Sequence, residues 1–430
     1  MKCGFYEKEI TPPLGESVPG YFCARPAMDV WDKLYAKAAV FEGDNGTVAV
    51  LILDAVQVKA AFCEKVAQRV TEYTGIPGDH LVIAATHTHY GVPFGDSFPD
   101  DCEFINEPDR AYVAVLERLA ADTVILAWKR MEECTLSYGI GWEDQVAFCR
   151  DYLMKDGKVR TNPSARRVPD VQRPYSDIDP ETPVLTARNA RGKLLGLLFT
   201  HTCHQDTVGN YVYSGDYSSE VSRQVKAAYG QDTVSIYMAG CCGDINHCDP
   251  LGGTRRDYIQ IGQAVAVAVK TAVEEKSAPI TAEKVAAQRR WVPIGRRKAT
   301  AQELEECRRA LSGQEAAFSR DWALSILGYE ANNWPDEVLQ PVQILRIGEV
   351  WFFALPGEVY HTYGKQARAA VAGEKWLITE LNGTESSYMP TPELYGTDVY
   401  PVKLTDGSFL EPLAGEKLVA AVHDLVQEMK

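Results

Sequence analysis

Short apolar runs alternate with segments in which apolar side chains recur at helical spacing. Residues 47–54 (TVAVLILD) and 80–86 (HLVIAAT) are apolar and rich in β-branched residues, which indicates buried strands, and residues 63–74 between them have a helical pattern. The same criterion predicts further strands at 182–187, 194–199, 234–240, 342–347, 350–355 and 376–381. It predicts further helices at 107–131, at about 257–273, from about 358, and at about 413–427.

The connections between these elements are of two kinds. The stretch NARG at 189–192 and the pair GE at 348–349 are turn sequences that predict hairpins, whereas other strands are joined through helices. Hairpins mixed with helix-connected strands predict an α/β (α+β) fold of mixed β-sheets flanked by helices. The chain has no internal repeat and no Gly/Ser linker, so we expect residues 1–430 to form one catalytic domain, with a charged, helical, peripheral insertion at about 289–335.

Composition narrows the classes of partner. Apolar residues make up 46% of the chain and charged residues 24%, as in an ordinary folded enzyme, and the net charge is −15. Binding to nucleic acid or to an anionic membrane relies on clustered Lys and Arg, and this acidic chain has no run of five basic residues. No segment approaches the roughly 20 apolar residues of a membrane span. We therefore expect a small-molecule substrate.

The cysteines and the N-terminus bear on the compartment. Eleven cysteines in 430 residues are too sparse for a disulfide scaffold, and the odd number leaves at least one unpaired. The N-terminal sequence MKCGFYEKEITPP has no apolar core of a secretory signal. A cytoplasmic protein with reduced thiols is the expectation.

Five polar clusters follow directly after apolar runs. They are THTH at 86–89, CH at 203–204, GDIN at 243–246, GE at 357–358 and SY at 387–388. Open α/β sheets bind ligands outside the carboxyl ends of their strands, so these clusters are expected to face one cleft. Glycine and proline beside them allow sharp turns and close approach of the backbone to a ligand.

Histidine is concentrated in these clusters. Of eight histidines, six lie in or beside them, at 87, 89, 201, 204, 247 and 361, and imidazole is a common zinc ligand. His87 and His89 would point to opposite faces of a continuing strand, so both can reach one metal ion only if the strand has ended. Spacing alone does not choose between His201 and His204.

Two other groups in these clusters have alternative interpretations. Glu358 is either a ligand or the N-terminal charge of a helix. Cys241, Cys242 and Cys248 lack the spacing of a thiolate zinc site.

The motifs resemble a known family when they are taken together and in order. The blocks are ITPPLG (10–15), AATHTHYG (84–91), CRDYL (149–153), KDGKVRTNP (155–163), CHQD (203–206), SGDY (214–217), CGDIN (242–246), LPGE (355–358) and YMPT (388–391). Over nearly its full length the chain is similar to the neutral/alkaline non-lysosomal ceramidases. The resemblance implies a zinc ion held by His87, His204, Glu358 and Tyr388.

The same resemblance implies roles for residues around the metal ion. His89 corresponds to a metal-adjacent histidine, Arg150 to a substrate-facing arginine and Tyr400 to a further active-site tyrosine. A zinc ion with this ligand set lowers the pKa of bound water and polarises a carbonyl. Asp216 and Asp244 are candidates to orient the ligating histidines, with turn formation as the alternative.

The chain also departs from the family. Asn246 stands where the ceramidases have a serine tied to amide cleavage, which favours direct attack by metal-activated water. The chain ends about thirty residues after Tyr400, where full ceramidases continue into an immunoglobulin-like domain. We therefore expect a hydrolase that cleaves an amide-type C–N bond of a small polar molecule rather than ceramide. The alternatives are an esterase or lactonase with the same site, or a catalytically idle relative that binds a metal or a small molecule.

Overall fold

The computed structural model describes residues 1–21, 25–94, 110–252, 256–316, 319–332, 334–383 and 387–430. Within them the strands, in chain order, are β1 (Lys2–Glu9), β2 (Asp29–Val30), β3 (Tyr35–Gly43), β4 (Gly46–Leu53), β5 (Leu81–Ala85), β6 (Glu132–Trp142), β7 (Phe148–Cys149), β8 (Asp151–Met154), β9 (Val159–Thr161), β10 (Val171–Pro174), β11 (Glu181–Asn189), β12 (Leu194–His201), β13 (Val212–Tyr213), β14 (Val234–Ala239), β15 (Ile245–Asn246), β16 (Ala278–Pro279), β17 (Val285–Gly295), β18 (Glu337–Ile347), β19 (Val350–Ala354), β20 (Glu358–Val359), β21 (Lys375–Thr379) and β22 (Tyr388–Met389). The α-helices there are α1 (Ala60–Thr74), α2 (Arg110–Lys129), α3 (Asp216–Tyr229), α4 (Tyr258–Glu274), α5 (Ala301–Leu311), α6 (Arg320–Ala331), α7 (His361–Ala369) and α8 (Ala414–Met429).

Two β-sheets face each other and are covered on their outer sides by helices. The larger has the order β14-β12-β11-β6-β1-β3-β4-β5, with β16 also paired to β6, and the smaller has the order β17-β18-β19-β21. Apolar side chains from both sheets, such as Phe41, Leu198 and Phe352, share one buried core between them. Helices α1 to α4 pack on the outer face of the larger sheet, and α5 to α8 pack on that of the smaller one. The fold is the predicted mixed α/β type, arranged in four layers.

Parallel strand pairs determine where the site lies. β4 pairs in parallel with β5, β12 with β14, and β19 with β21, each pair being connected through a helix. The ends of the two sheets are joined where the amide of Glu380 donates to the carbonyl of Ala239 at 2.9 Å. The loops that follow β5, β12, β14, β19 and β21 therefore lie at one end of the sandwich.

Most predicted elements are present, with shifted ends. The strands predicted at 47–54, 80–86, 182–187, 194–199, 234–240, 342–347, 350–355 and 376–381 correspond to β4, β5, β11, β12, β14, β18, β19 and β21. The helix predicted at 107–131 corresponds to α2, and residues 107–109 lie outside the described residues. The helical part of the region 289–335 is confined to α5 and α6, because residues up to Gly295 belong to β17.

Two expectations are wrong. The helix predicted from about Glu358 begins at His361, because Glu358 and Val359 pair in parallel with β22 instead. Cys3 on β1 and Cys134 at the neighbouring strand β6 form a disulfide bond, so this pair is not reduced. Among the described residues, none of the helices is both long and apolar enough to cross a membrane.

Candidate metal centre

Four side chains that are far apart in the sequence meet beyond the ends of β5, β12 and β19. They belong to His87, His204, Glu358 and Tyr388. Oε2 of Glu358 lies 3.3 Å from Nε2 of His87 and 3.3 Å from Nε2 of His204. The hydroxyl of Tyr388 lies 3.4 Å from Nε2 of His204. Four segments of the chain thus contribute one potential ligand each to a single neighbourhood.

These three distances match the spacing of neighbouring ligands in a tetrahedral zinc site. Zinc binds nitrogen and oxygen ligands at about 2.0–2.2 Å, which places neighbouring ligand atoms of a tetrahedron roughly 3.3–3.5 Å apart. Nε2 of His87 and Oε2 of Glu358 are buried and have no hydrogen-bond partner of suitable geometry. Buried polar atoms are normally satisfied, so these two lack something that a cation would supply. The residues present therefore fit a zinc ion.

The backbone at His87 explains how two histidines of the THTH motif come together. β5 ends at Ala85, and His87 adopts a left-handed conformation with φ of 66°. Such a conformation is rare for a residue with a side chain and is held by the surrounding structure. It breaks the strand alternation, so that the ring centroids of His87 and His89 lie 5.0 Å apart.

Backbone carbonyls orient the histidine rings. Nδ1 of His87 lies 2.8 Å from the carbonyl oxygen of Val56, and Nδ1 of His204 lies 2.9 Å from that of Cys242. In both rings Nδ1 is the nitrogen bonded to a carbonyl, which leaves Nε2 for the centre. Ring orientation is therefore set by the main chain.

The clustered groups perturb one another's protonation. Burial by itself raises the pKa of Glu358, but the flanking His87 and His204 hold that pKa well below its usual value. Burial opposes protonation of His87, yet the charge of Glu358 raises its pKa overall. Burial, together with the neighbouring His87, lowers the pKa of His204. Glu358 is therefore ionised, as a metal-binding carboxylate must be.

His89 lies beside these four groups. Its Nδ1 is 3.1 Å from the carbonyl oxygen of Gly20, and its Nε2 is buried without a hydrogen-bond partner. One ring nitrogen from each of His87, His89 and His204 falls within 4.8 Å of the others. His89 thus adds an imidazole next to the tetrahedral set.

Arg150 and two tyrosines form one wall of the centre. Cζ of Arg150 lies 4.8 Å from the ring centroid of Tyr388 and 5.7 Å from that of Tyr400, and the two rings meet edge-on at 5.4 Å. Nε and one terminal nitrogen of Arg150 are buried without hydrogen-bond partners. A charged donor is therefore held next to the centre with N–H groups available to an oxygen of a bound molecule.

A cavity of about 590 Å³ has Phe148, Asn162, His247 and Arg256 among its lining residues, and the amide of Asn162 donates to the backbone carbonyl of Arg150 at 2.7 Å. The four clustered residues, Arg150 and Tyr400 do not line this cavity. The side chain of Asn246 donates to that of Asn162 at 3.0 Å and accepts from the amide of Cys248 at 3.1 Å. Both ends of the Asn246 amide are thus engaged. Asn246 thus links the loop after β14 to the segment after β9.

Several candidates from the sequence lie elsewhere or bind other groups. Asp216 and Asp244 bind groups other than the rings of His87 and His204, so their predicted orienting role is wrong. Asp216 accepts from the amides of Thr207 and Tyr217, and Asp244 holds His361, with 2.7 Å between its Oδ2 and Nδ1 of that ring. The carbonyls of Val56 and Cys242 have taken the place of carboxylates.

His201 and the clustered cysteines are also outside the centre. His201 ends β12 with its ring against Tyr217, and His204 is the histidine that joins the cluster. Cys241, Cys242 and Cys248 form no group of three potential metal ligands within the described part of the chain.

One residue of the site was missed by the sequence analysis. Glu380 follows β21 and is fully buried, and its carboxylate accepts from the amides of Val359 and Cys242. Burial raises its pKa to about 8. A carboxylate at the end of the apolar run 376–381 was the available signal.

Comparisons with known proteins agree with this architecture. No protein-family model matches the chain, and no curated protein matches it. The chain is similar to the crystal structure of neutral ceramidase from Pseudomonas aeruginosa, with a TM-score of 0.76, 16% identity, and coverage of 100% of this chain and 74% of that one. It is also similar to a ceramidase complexed with C2, with a TM-score of 0.73, 17% identity and the same coverage. The chain therefore has the fold of the neutral ceramidases, as its motifs predicted.

Proposed function

We propose that the chain is a zinc-dependent hydrolase that cleaves an amide-type C–N bond of a small substrate. The observation that carries this proposal is three distances: from Oε2 of Glu358 to Nε2 of His87 and of His204, and from the Tyr388 hydroxyl to Nε2 of His204. All three match the spacing of neighbouring ligands in a tetrahedral zinc site. The neutral ceramidase fold supports a hydrolase. These four residues would hold the ion.

The ion supplies one part of the chemistry when it is bound: it lowers the pKa of a water molecule and polarises a carbonyl. The chain's own residues supply the rest. The unpaired nitrogens of Arg150 lie where they can donate to a carbonyl oxygen that gains negative charge. Burial lowers the pKa of His89 to about 3, so its ring starts neutral; its Nε2 would accept a proton from the attacking water and pass it to the leaving amine. Tyr400 forms part of the aromatic wall beside Arg150.

We propose a small substrate. A cavity of about 590 Å³, within the usual size range of small-molecule sites, is lined in part by Asn162, which is bonded to the backbone of Arg150; the four clustered residues do not line it. We further propose that residues 1–430 act as one catalytic domain, because ligands from the ends of both sheets form one centre. We also propose, from the sequence alone, that the protein is cytoplasmic.

An ester or lactone is the second candidate substrate class. Asn246 has both ends of its amide engaged and offers no hydroxyl to the reaction. An ester needs less assistance to its leaving group than an amide does, so the loss of the serine favours this alternative.

The test compares zinc-loaded, chelated and zinc-restored protein on matched panels of small amides and esters that share their acyl groups. We expect turnover of at least one amide that disappears on chelation and returns with zinc. Turnover of esters alone would replace the amide assignment with the second candidate. A zinc-loaded chain that hydrolyses neither panel, or turnover that survives chelation, would contradict the proposed function.

A further inference from the structure

Glu380 is a buried carboxylate between the two sheets. It follows the last residue of β21, its side chain is fully buried, and its amide donates to the carbonyl of Ala239 at the end of β14. Ionisable side chains are rarely so enclosed unless their bonding partners are built around them. Its partners therefore indicate what it does.

Three donors converge on this carboxylate. Oε2 accepts from the amide of Val359 at 2.8 Å and from the amide of Cys242 at 3.2 Å, and Oε1 lies 3.0 Å from the thiol sulfur of Cys242. This one side chain thus bridges Cys242 and Val359, which are 117 residues apart in the sequence. An apolar side chain would leave two buried amides without partners.

Both bridged segments present atoms of the metal centre. The carbonyl of Cys242 orients the ring of His204 through Nδ1 at 2.9 Å. Val359 is the neighbour of Glu358 on β20. The two segments also contact directly, since the amide of Gly243 donates to the carbonyl of Val359 at 2.9 Å. Glu380 therefore binds both the residue that orients His204 and the residue next to Glu358.

We propose that Glu380 is a positioning residue whose carboxylate holds the segments carrying the His204 support and Glu358 in register, and so sets the affinity of the centre for zinc. This inference rests on the function proposed above. Groups that orient metal ligands without touching the ion change metal affinity by roughly 10–100-fold when they are removed.

The substitutions separate positioning from bulk. Glu380→Ala removes all three acceptor contacts. Glu380→Gln keeps the length of the side chain and one oxygen that can accept from both amides. Its zinc affinity should therefore lie between those of Glu380→Ala and wild type. Glu143→Gln is the matched control, because Glu143 is also buried and also accepts from two backbone amides, those of Gln145 and Val146, but touches neither bridged segment.

The experiment measures the zinc dissociation constant of the full chain by competition with a chromophoric chelator, and the visible spectrum of the cobalt-substituted protein as a report on ligand geometry. We expect Glu380→Ala to weaken zinc binding by about tenfold or more, Glu380→Gln to weaken it by about three- to tenfold with an altered cobalt spectrum, and Glu143→Gln to leave both unchanged.

In Glu380→Gln, a zinc dissociation constant within twofold of wild type together with an unchanged cobalt spectrum would overturn the inference, even if Glu380→Ala does not fold. Equal weakening in Glu143→Gln would overturn it too, because the effect would then be general. If the wild-type chain binds zinc but neither Glu380 variant changes the affinity, this inference alone fails. If the wild-type chain binds no zinc, the proposed function fails.

Discussion

Each histidine at the centre has one ring nitrogen tied to a backbone carbonyl. Val56 provides that carbonyl for His87, and Cys242 provides it for His204. A neutral imidazole that donates from one nitrogen presents the lone pair of the other, which is the form that binds a metal. At the scale of single residues, the centre is therefore prepared by main-chain contacts that no side-chain motif can reveal.

Arg150 is expected to act on substrate rather than on the metal. Arg150→Ala should leave zinc content unchanged and lower kcat/KM by about 10²–10³-fold, because it removes a donor to the developing negative charge. Metal analysis and steady-state kinetics on the substrate found in the panel would measure both quantities. Arg167→Ala, which removes an exposed arginine, is the control and should change neither. Loss of zinc from Arg150→Ala would show a structural role instead.

Asp216 gives a pH dependence of stability that is separate from the metal centre. Burial raises the pKa of this fully buried carboxyl from 3.8 to about 7. Between about pH 4 and 7 the unfolded chain has released this proton while the folded chain keeps it, so folding stability falls as pH rises through that window. The shift of about three pKa units corresponds to at most about 4 kcal/mol.

Urea unfolding of wild type and Asp216→Asn at a series of pH values tests this account. The Asn side chain cannot ionise, so the stability of wild type relative to the variant should decline from about pH 4 to about pH 7 and then level off. A difference that is constant across the series would refute the raised pKa.

At the scale of elements, short paired segments place the potential metal ligands. β20 and β22 are two residues each, and their parallel pairing puts Glu358 opposite Tyr388. The loop after β14 packs so tightly on β20 that a Cβ at Gly243 would lie 2.5 Å from the carbonyl oxygen of Glu358. Only glycine allows this approach of one backbone to another.

Gly243→Ala should therefore push the loop after β14 away from β20. We expect a loss of about 1–3 kcal/mol in the free energy of unfolding, from overpacking, together with weaker zinc binding because both bridged segments shift. Denaturant titration and chelator competition measure the two effects. Gly78→Ala is the control, since its added Cβ would make only an ordinary contact at 3.7 Å. Wild-type zinc affinity in Gly243→Ala would show that this contact does not position the ligands.

At the scale of the whole molecule, the sequence predicts what is encoded locally. Strands such as β4, β5 and β14 are predicted correctly because a strand that is buried on both faces is a continuous apolar run. That signal lies within the strand's own sequence and does not depend on the neighbouring strands. Strands β1, β6 and β17 mix charged and apolar residues along half-exposed surfaces, so their signal was weak. The four potential metal ligands were predicted to lie together from the order of the motifs, not from the spacing of the residues.

Long-range contacts account for what was missed in the site. Glu380 gains its role only when the ends of β14 and β21 meet, and the carbonyl contacts to His87 and His204 join residues 31 and 38 positions apart. The predicted role of Asp216 and Asp244 was wrong because an aspartate beside a motif has the same sequence signal whether it binds a histidine or a backbone amide.

The zinc content of purified protein tests the central claim, that four distant segments build one metal site. Elemental mass spectrometry should find about one zinc per wild-type chain and at least about tenfold less in His204→Ala, which removes a ligand. His201→Ala, which removes a buried histidine outside the cluster, should retain the ion. Equal zinc occupancy in His204→Ala and wild type would contradict the account.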